Sequence, residues 1–130
     1  MILVDSSVWI DYFNGNKTIA SEKLDSLLSI RPICTGDLIL TEVLQGFKSD
    51  SDFTTAKSLM CALPVHNMVG YEISLKSVDN FRLLRKKGIT IRKTIDVLIA
   101  TYCIENQLVL LHSDKDFQPS SSILDYKPFD

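Results

Sequence analysis

The chain has 130 residues, 16 acidic and 14 basic side chains and a formal charge of −2, which suits one globular domain, residues 1–130, and excludes a protein whose overall charge drives it onto nucleic acid. A hydrophobic fraction of 45% excludes a disordered chain. No apolar run approaches the roughly 18 residues needed to cross a bilayer, and "MILVDSSVW" lacks the basic start and small-residue cleavage site of a secretory signal, so a cytoplasmic location is expected.

"MILV" opens the chain as a short β-rich run suited to a buried strand. Ser6 or Ser7 can cap a following helix carrying Val8, Trp9, Tyr12 and Phe13, with Gly15 as its stop. "ASEKLDSLLSI" reads as a second helix, and Pro32 opens the extended stretch "PICT". Leu40, Val43, Leu44 and Phe47 recur at amphipathic helix spacing, which turns Glu42 to the opposite, solvated side with Leu38 and Gln45. Residues 51–63 give another helix, ended by Pro64, and "VHNMV" is weakly strand-like. Tyr71, Leu75, Val78, Phe81 and Leu84 mark a long helix that Gly88 terminates. "TIDVLIATYCI" is apolar around nearly its whole circumference and predicts a covered helix, with Thr94 available as cap. "LVLLHSD" is the clearest parallel-type strand, and "ILDYK" is a candidate edge strand. Strands alternating with helices predict an α/β fold, a three-layer α/β/α sandwich around a mostly parallel sheet.

Cys34, Cys61 and Cys103 are odd in number, widely spaced and set among apolar neighbours. They predict reduced thiols in or near the core, without a disulfide framework or zinc site.

The acids are placed more pointedly. Ligands of parallel sheets bind at the strands' carboxyl ends, where Asp5 follows "MILV" and Asp114 follows "LVLLHS". Asp96 stands in the first turn of the covered helix, on a rim that such strand ends can share. Each has an ordinary explanation: helix cap, turn former, or a first-turn acid favoured by the macrodipole. As a set they can converge. Two carboxylates about 5 Å apart repel by roughly 3 kcal/mol at an effective dielectric near 20, and a hard divalent ion such as Mg²⁺ or Mn²⁺ removes that cost.

"ILVDSSVWIDYFNG", "TEVLQG" and "TIDVLIATYCIENQLVLLHSDKDF" resemble successive signatures of the PIN-domain family, in particular its small stand-alone members, the VapC-type toxins of toxin–antitoxin pairs. The resemblance runs from residue 2 to residue 117 and is most specific in its last stretch. It implies an α/β/α fold and a metal-dependent endoribonuclease leaving 5′-phosphate and 3′-hydroxyl ends. It also implies a cognate antitoxin protein and a homodimer. Carried over by position, it makes Asp5, Glu42, Asp96 and Asp114 the acidic catalytic set, with Asp5, Asp96 and Asp114 as metal ligands. Asp116 and Ser6 become auxiliary residues. Glu42 enters on the resemblance alone, against its place on the helical wheel. His112 stands where the family commonly has threonine, and Tyr102 and Cys103 stand where small alanines are common.

Arg82, Arg85, Lys86, Lys87, Arg92 and Lys93 place six of the fourteen basic residues within twelve positions, and form a candidate phosphate-binding cluster for RNA or a solvated helix end. Two other readings stay open. A phosphatase-type domain is disfavoured by the missing second acid in "DSSVW", and a non-catalytic interaction module predicts no specific response to divalent metal.

Overall fold

The computed structural model describes residues 1–90 and 93–113 and a short strand at 127–128. Among the described residues five strands lie in the order β3-β2-β1-β4-β5, every pairing parallel. Strand β1 (Ile2–Val4) is central and wholly buried between β2 (Ile33–Gly36) and β4 (Val109–Leu111). The outer strands, β3 (Val65–His66) and β5 (Lys127–Pro128), have two residues each. For β5 only the tail of "ILDYK" falls within the described residues.

The connections follow from handedness. Parallel crossovers are right-handed in nearly all cases, so steps from β1 to β2 and β2 to β3 put their helices on one face. These are α1 (Ser6–Phe13), α2 (Ile19–Leu27), α3 (Asp37–Leu44) and α4 (Asp50–Cys61), with α1 packed on α2 and α3, and α3 on α4. The step from β3 back across to β4 puts α5 (Tyr71–Lys86) and α6 (Thr94–Asn106) together on the other face. The chain is a three-layer α/β/α sandwich.

Local chemistry sets the element ends. Thr18 and Ser21 form a reciprocal capping box on α2, and Ser49 caps α4. Gly15 adopts a φ of 73° just past the Asn14 C-cap of α1, as a left-handed position favours. Trp9 is fully buried and stacks on Phe13 at 5.6 Å, which meets Phe47 edge-on at 5.7 Å, so this aromatic cluster is core.

Five expectations of local structure need correction. The N-cap of α1 is Asp5, and Ser6 and Ser7 are its first helical residues. The N-cap of α6 is Lys93, with no side-chain cap bond, and Thr94 is the first helical residue. Cys61 is exposed, whereas Cys34 and Cys103 are buried. On α5, Tyr71, Leu75 and Val78 are exposed, and the helix seats through Ser77 and Leu84 with Ile73 and Phe81 partly covered. The buried stripe of α3 is Ile39 and Val43, with Leu40, Leu44 and Phe47 only partly covered.

Candidate active site

Strand order reverses between β1, whose chain leaves toward β2, and β4, whose chain arrives from the other side. The crevice outside the carboxyl ends at such a point is where open α/β sheets bind ligands. Asp5 stands there, directly after β1, and its N–H donates to the carbonyl of Leu111 at the end of β4 (2.9 Å).

The Asp5 carboxylate is 3% exposed, and its two oxygens have different surroundings. Oδ2 caps α1, accepting from the Ser7 N–H (3.3 Å) and the Ser7 hydroxyl (2.6 Å). Ser7 in turn accepts from the Ser113 hydroxyl (3.2 Å), tying the cap to the segment after β4. Oδ1 has no hydrogen-bond partner among the described residues. Burial pushes the Asp5 carboxyl above its ordinary pKa, against the hydrogen bonds from Ser7, and the nearby charge of Glu42 pushes the same way. A neighbouring acid shows the contrast. Oδ1 of Asp37, at the end of β2, accepts from the N–H groups of Leu38 (2.8 Å) and Met68 (3.1 Å), a structural carboxylate with its acceptor filled.

Glu42 is half-buried and reaches the same rim, where its Oε1 accepts from the Ser6 hydroxyl (2.8 Å). The solvated position predicted for Glu42 is therefore wrong. The wheel was oriented on Leu40, Leu44 and Phe47; with Ile39 and Val43 as the true buried stripe, Glu42 lies at its margin, facing α1. Ser6, 8% exposed, joins the Asp5 turn to the Glu42 helix.

Asp96 comes from the opposite layer. The turn at Gln107 joins α6 to the start of β4, so α6 runs antiparallel to the strand and its first turn lies toward the strands' carboxyl ends. Asp96 is 6% exposed in that turn. The structure thus brings Asp5 and Glu42 together through Ser6 and sets Asp96 on the same rim. Among the described residues no three His, Cys, Asp or Glu side chains stand as a ready metal-holding group. Asp114 and Asp116 lie outside the described residues, as does Arg92. His112 is half-buried just past β4 and lines a cavity of about 260 Å³ with Thr18, Lys23 and Ser113. Arg82, Arg85, Lys86, Lys87 and Lys93 are all exposed.

The donors gathered here are carboxylate and hydroxyl oxygens, the set a hard divalent cation prefers. An unfilled buried carboxylate oxygen beside a second acid fits such an ion. Ser7 is a residue of this site whose part the sequence leaves open; the signal is its place two positions after the first acid, where its N–H and hydroxyl reach the capping carboxylate.

Fold and rim together define a class: a parallel α/β/α domain with acids clustered at its topological switch point. The PIN-domain family profile matches residues 2–119, and this chain belongs to the PIN-domain family. It is 33% identical over 119 residues to VapC ribonuclease Mb1587 of Mycobacterium bovis, covering 90% of this chain and 89% of that protein. Ribonuclease VapC11 of Mycobacterium tuberculosis matches to the same extent. Among solved structures, VapBC-1 from nontypeable Haemophilus influenzae superposes with a TM-score of 0.72 at 24% identity, covering 100% of this chain and 98% of that one. No helix among the described residues is long and apolar enough to cross a membrane.

Proposed function

We propose that this chain is a metal-dependent endoribonuclease acting as the toxin of a toxin–antitoxin pair. The observation that carries the reading is the buried Asp5 carboxylate at the switch point, with one oxygen unfilled and a second acid, Glu42, beside it. The names of the relatives, VapC ribonucleases, support the reaction class. Solved relatives that pair a VapC with a VapB, such as VapBC-1, support a small antitoxin as partner.

In this reading Asp5, Asp96 and Asp114 would hold Mg²⁺ or Mn²⁺, and Asp116 would stand by as an auxiliary acid. Bound there, such an ion would supply the Lewis acidity that activates water and offsets charge on phosphate oxygens. The residues of the chain do the rest. Ser7 fixes one Asp5 oxygen and leaves the other, buried and unfilled, to the ion. Ser6 holds Glu42 by its Oε1, leaving the second oxygen to orient a water or accept its proton. The basic residues at the end of α5 and the start of α6 offset the repulsion between an acidic site and a polyanion.

The test is cleavage of a labelled single-stranded RNA with Mn²⁺ and with EDTA. The wild type should cut only with metal, and Asp96→Asn should be inactive with an unchanged fold by circular dichroism. A fully active Asp96→Asn protein removes Asp96 from the mechanism.

A further inference from the structure

On the far side of the α6 first turn from the acidic rim lies a groove of about 280 Å³ between α5 and α6. Its lining is Ser77, Val78, Phe81, Arg82, Arg85, Thr94 and Val97. The composition divides by chemistry: two guanidinium groups, two hydroxyls, and an apolar floor with an aromatic ring. Arg85 lies over the Phe81 ring, 5.2 Å from its centroid, so the ring backs the guanidinium and the pair forms a layered shelf.

The polar lining is uncommitted. Apart from that ring contact, Arg82, Arg85, Ser77 and Thr94 make no side-chain hydrogen bond or ion pair among the described residues, while nearby Asn80 and Thr101 on the same helix interface bond each other at 3.0 Å. Ser77, 5% exposed as a residue, turns its hydroxyl to the groove.

We propose that this groove is a nucleotide subsite for single-stranded RNA, taking one base on the Phe81–Arg85 shelf and an adjoining phosphate on Arg82 and Arg85. The inference rests on the ribonuclease reading and adds to it a place for substrate away from the scissile bond. Helical geometry turns Asp96 away from the face that Thr94 and Val97 present to α5, so rim and groove are about one helix diameter apart, roughly 10 Å. A single strand crossing the N-terminal end of α6 can occupy both. The charge around the groove fits a polyanion: Lys86, Lys87 and Lys93 are exposed nearby in sequence, and the Lys76–Glu105 ion pair lies at the other end of α6. Bases stack on such shelves without strong sequence preference.

The experiment measures binding of a short fluorescein-labelled single-stranded RNA to the full chain in EDTA, by anisotropy, across a salt series. Ser77→Leu fills the groove without changing charge, and Arg82→Gln with Arg85→Gln leaves the fold's interior untouched. Both should bind about tenfold more weakly, and the double variant should lower the salt slope by about 0.7, the share of the one phosphate it releases. Lys57→Gln, on α4, serves as the charge control and should bind like wild type. Binding at wild-type strength by the double variant overturns the subsite, as does altered self-association without loss of RNA affinity, which would give the groove to a second copy of the chain. If the subsite fails while the wild type still binds RNA and cuts it with Mn²⁺, the ribonuclease reading stands; if the wild type does neither, both fall.

Discussion

Asp5 gives one oxygen to the fold and keeps the other at the rim. The capping half is worth about 1 kcal/mol to α1, while burial of a charge with an unfilled oxygen opposes folding. Asparagine keeps a cap acceptor and drops the charge, so Asp5→Asn should stabilise the metal-free protein at neutral pH by about 1 kcal/mol in urea unfolding. It should also abolish cleavage. A destabilised variant would mean the carboxylate is already compensated within the fold. Ser6→Ala frees Glu42 from its 2.8 Å bond and should lower kcat about tenfold, with KM for RNA little changed. Cys34 gives a pH signature of its own: burial raises its thiol from 9.0 to about 11, and Cys103 and Tyr102 are raised too. The unfolded chain loses these protons first, so their contribution to stability is complete below pH 9 and is lost as pH climbs through 11. Cys34→Ala should flatten the fall in unfolding free energy across that interval; an equally steep fall would place its cause elsewhere.

The elements were legible in the sequence to different degrees, for physical reasons. Helix α6 announced itself because an apolar circumference has few other homes, and its buried span includes Val97, Ile99, Ala100 and Cys103. Asp5 could be placed because a strand followed by a capping residue is a local pattern. Glu42 could not, because five apolar residues around it allow two wheel orientations and only tertiary packing chooses Ile39 and Val43. The stripe on α5 misleads for a related reason: Tyr71, Leu75 and Val78 have helical spacing, yet the helix packs against α6 through the face with Ser77 and Leu84. The groove rests on where α5 and α6 meet, with Phe81, Arg82 and Arg85 on its wall, which no periodicity marks. One strained position has no mark in the sequence: Gln107 ends α6 with a φ of 55°. Glycine carries no steric penalty there, so Gln107→Gly should raise stability by about 0.5–1 kcal/mol in urea unfolding. An unchanged or lower midpoint would show that the side chain contributes more than the strain costs.

At the scale of the whole molecule, handed crossovers bring distant acids together. Helices on opposite faces begin or end at one rim, and the reversal of strand order opens the crevice between β1 and β4. Asp5, Glu42 and Asp96 are far apart in sequence and come from three elements. The claim on which the proposed function rests is that this rim holds a catalytic divalent cation. The most direct measurement is thermal melting of the wild type, Asp5→Asn and Asp96→Asn proteins in rising Mn²⁺ at constant ionic strength. Linkage gives about 2.7 kcal/mol of stabilisation at a hundredfold excess over Kd. The wild type should show a saturable rise in melting temperature that both variants lack. A wild type whose melting is indifferent to Mn²⁺, or variants that rise as it does, would contradict the claim.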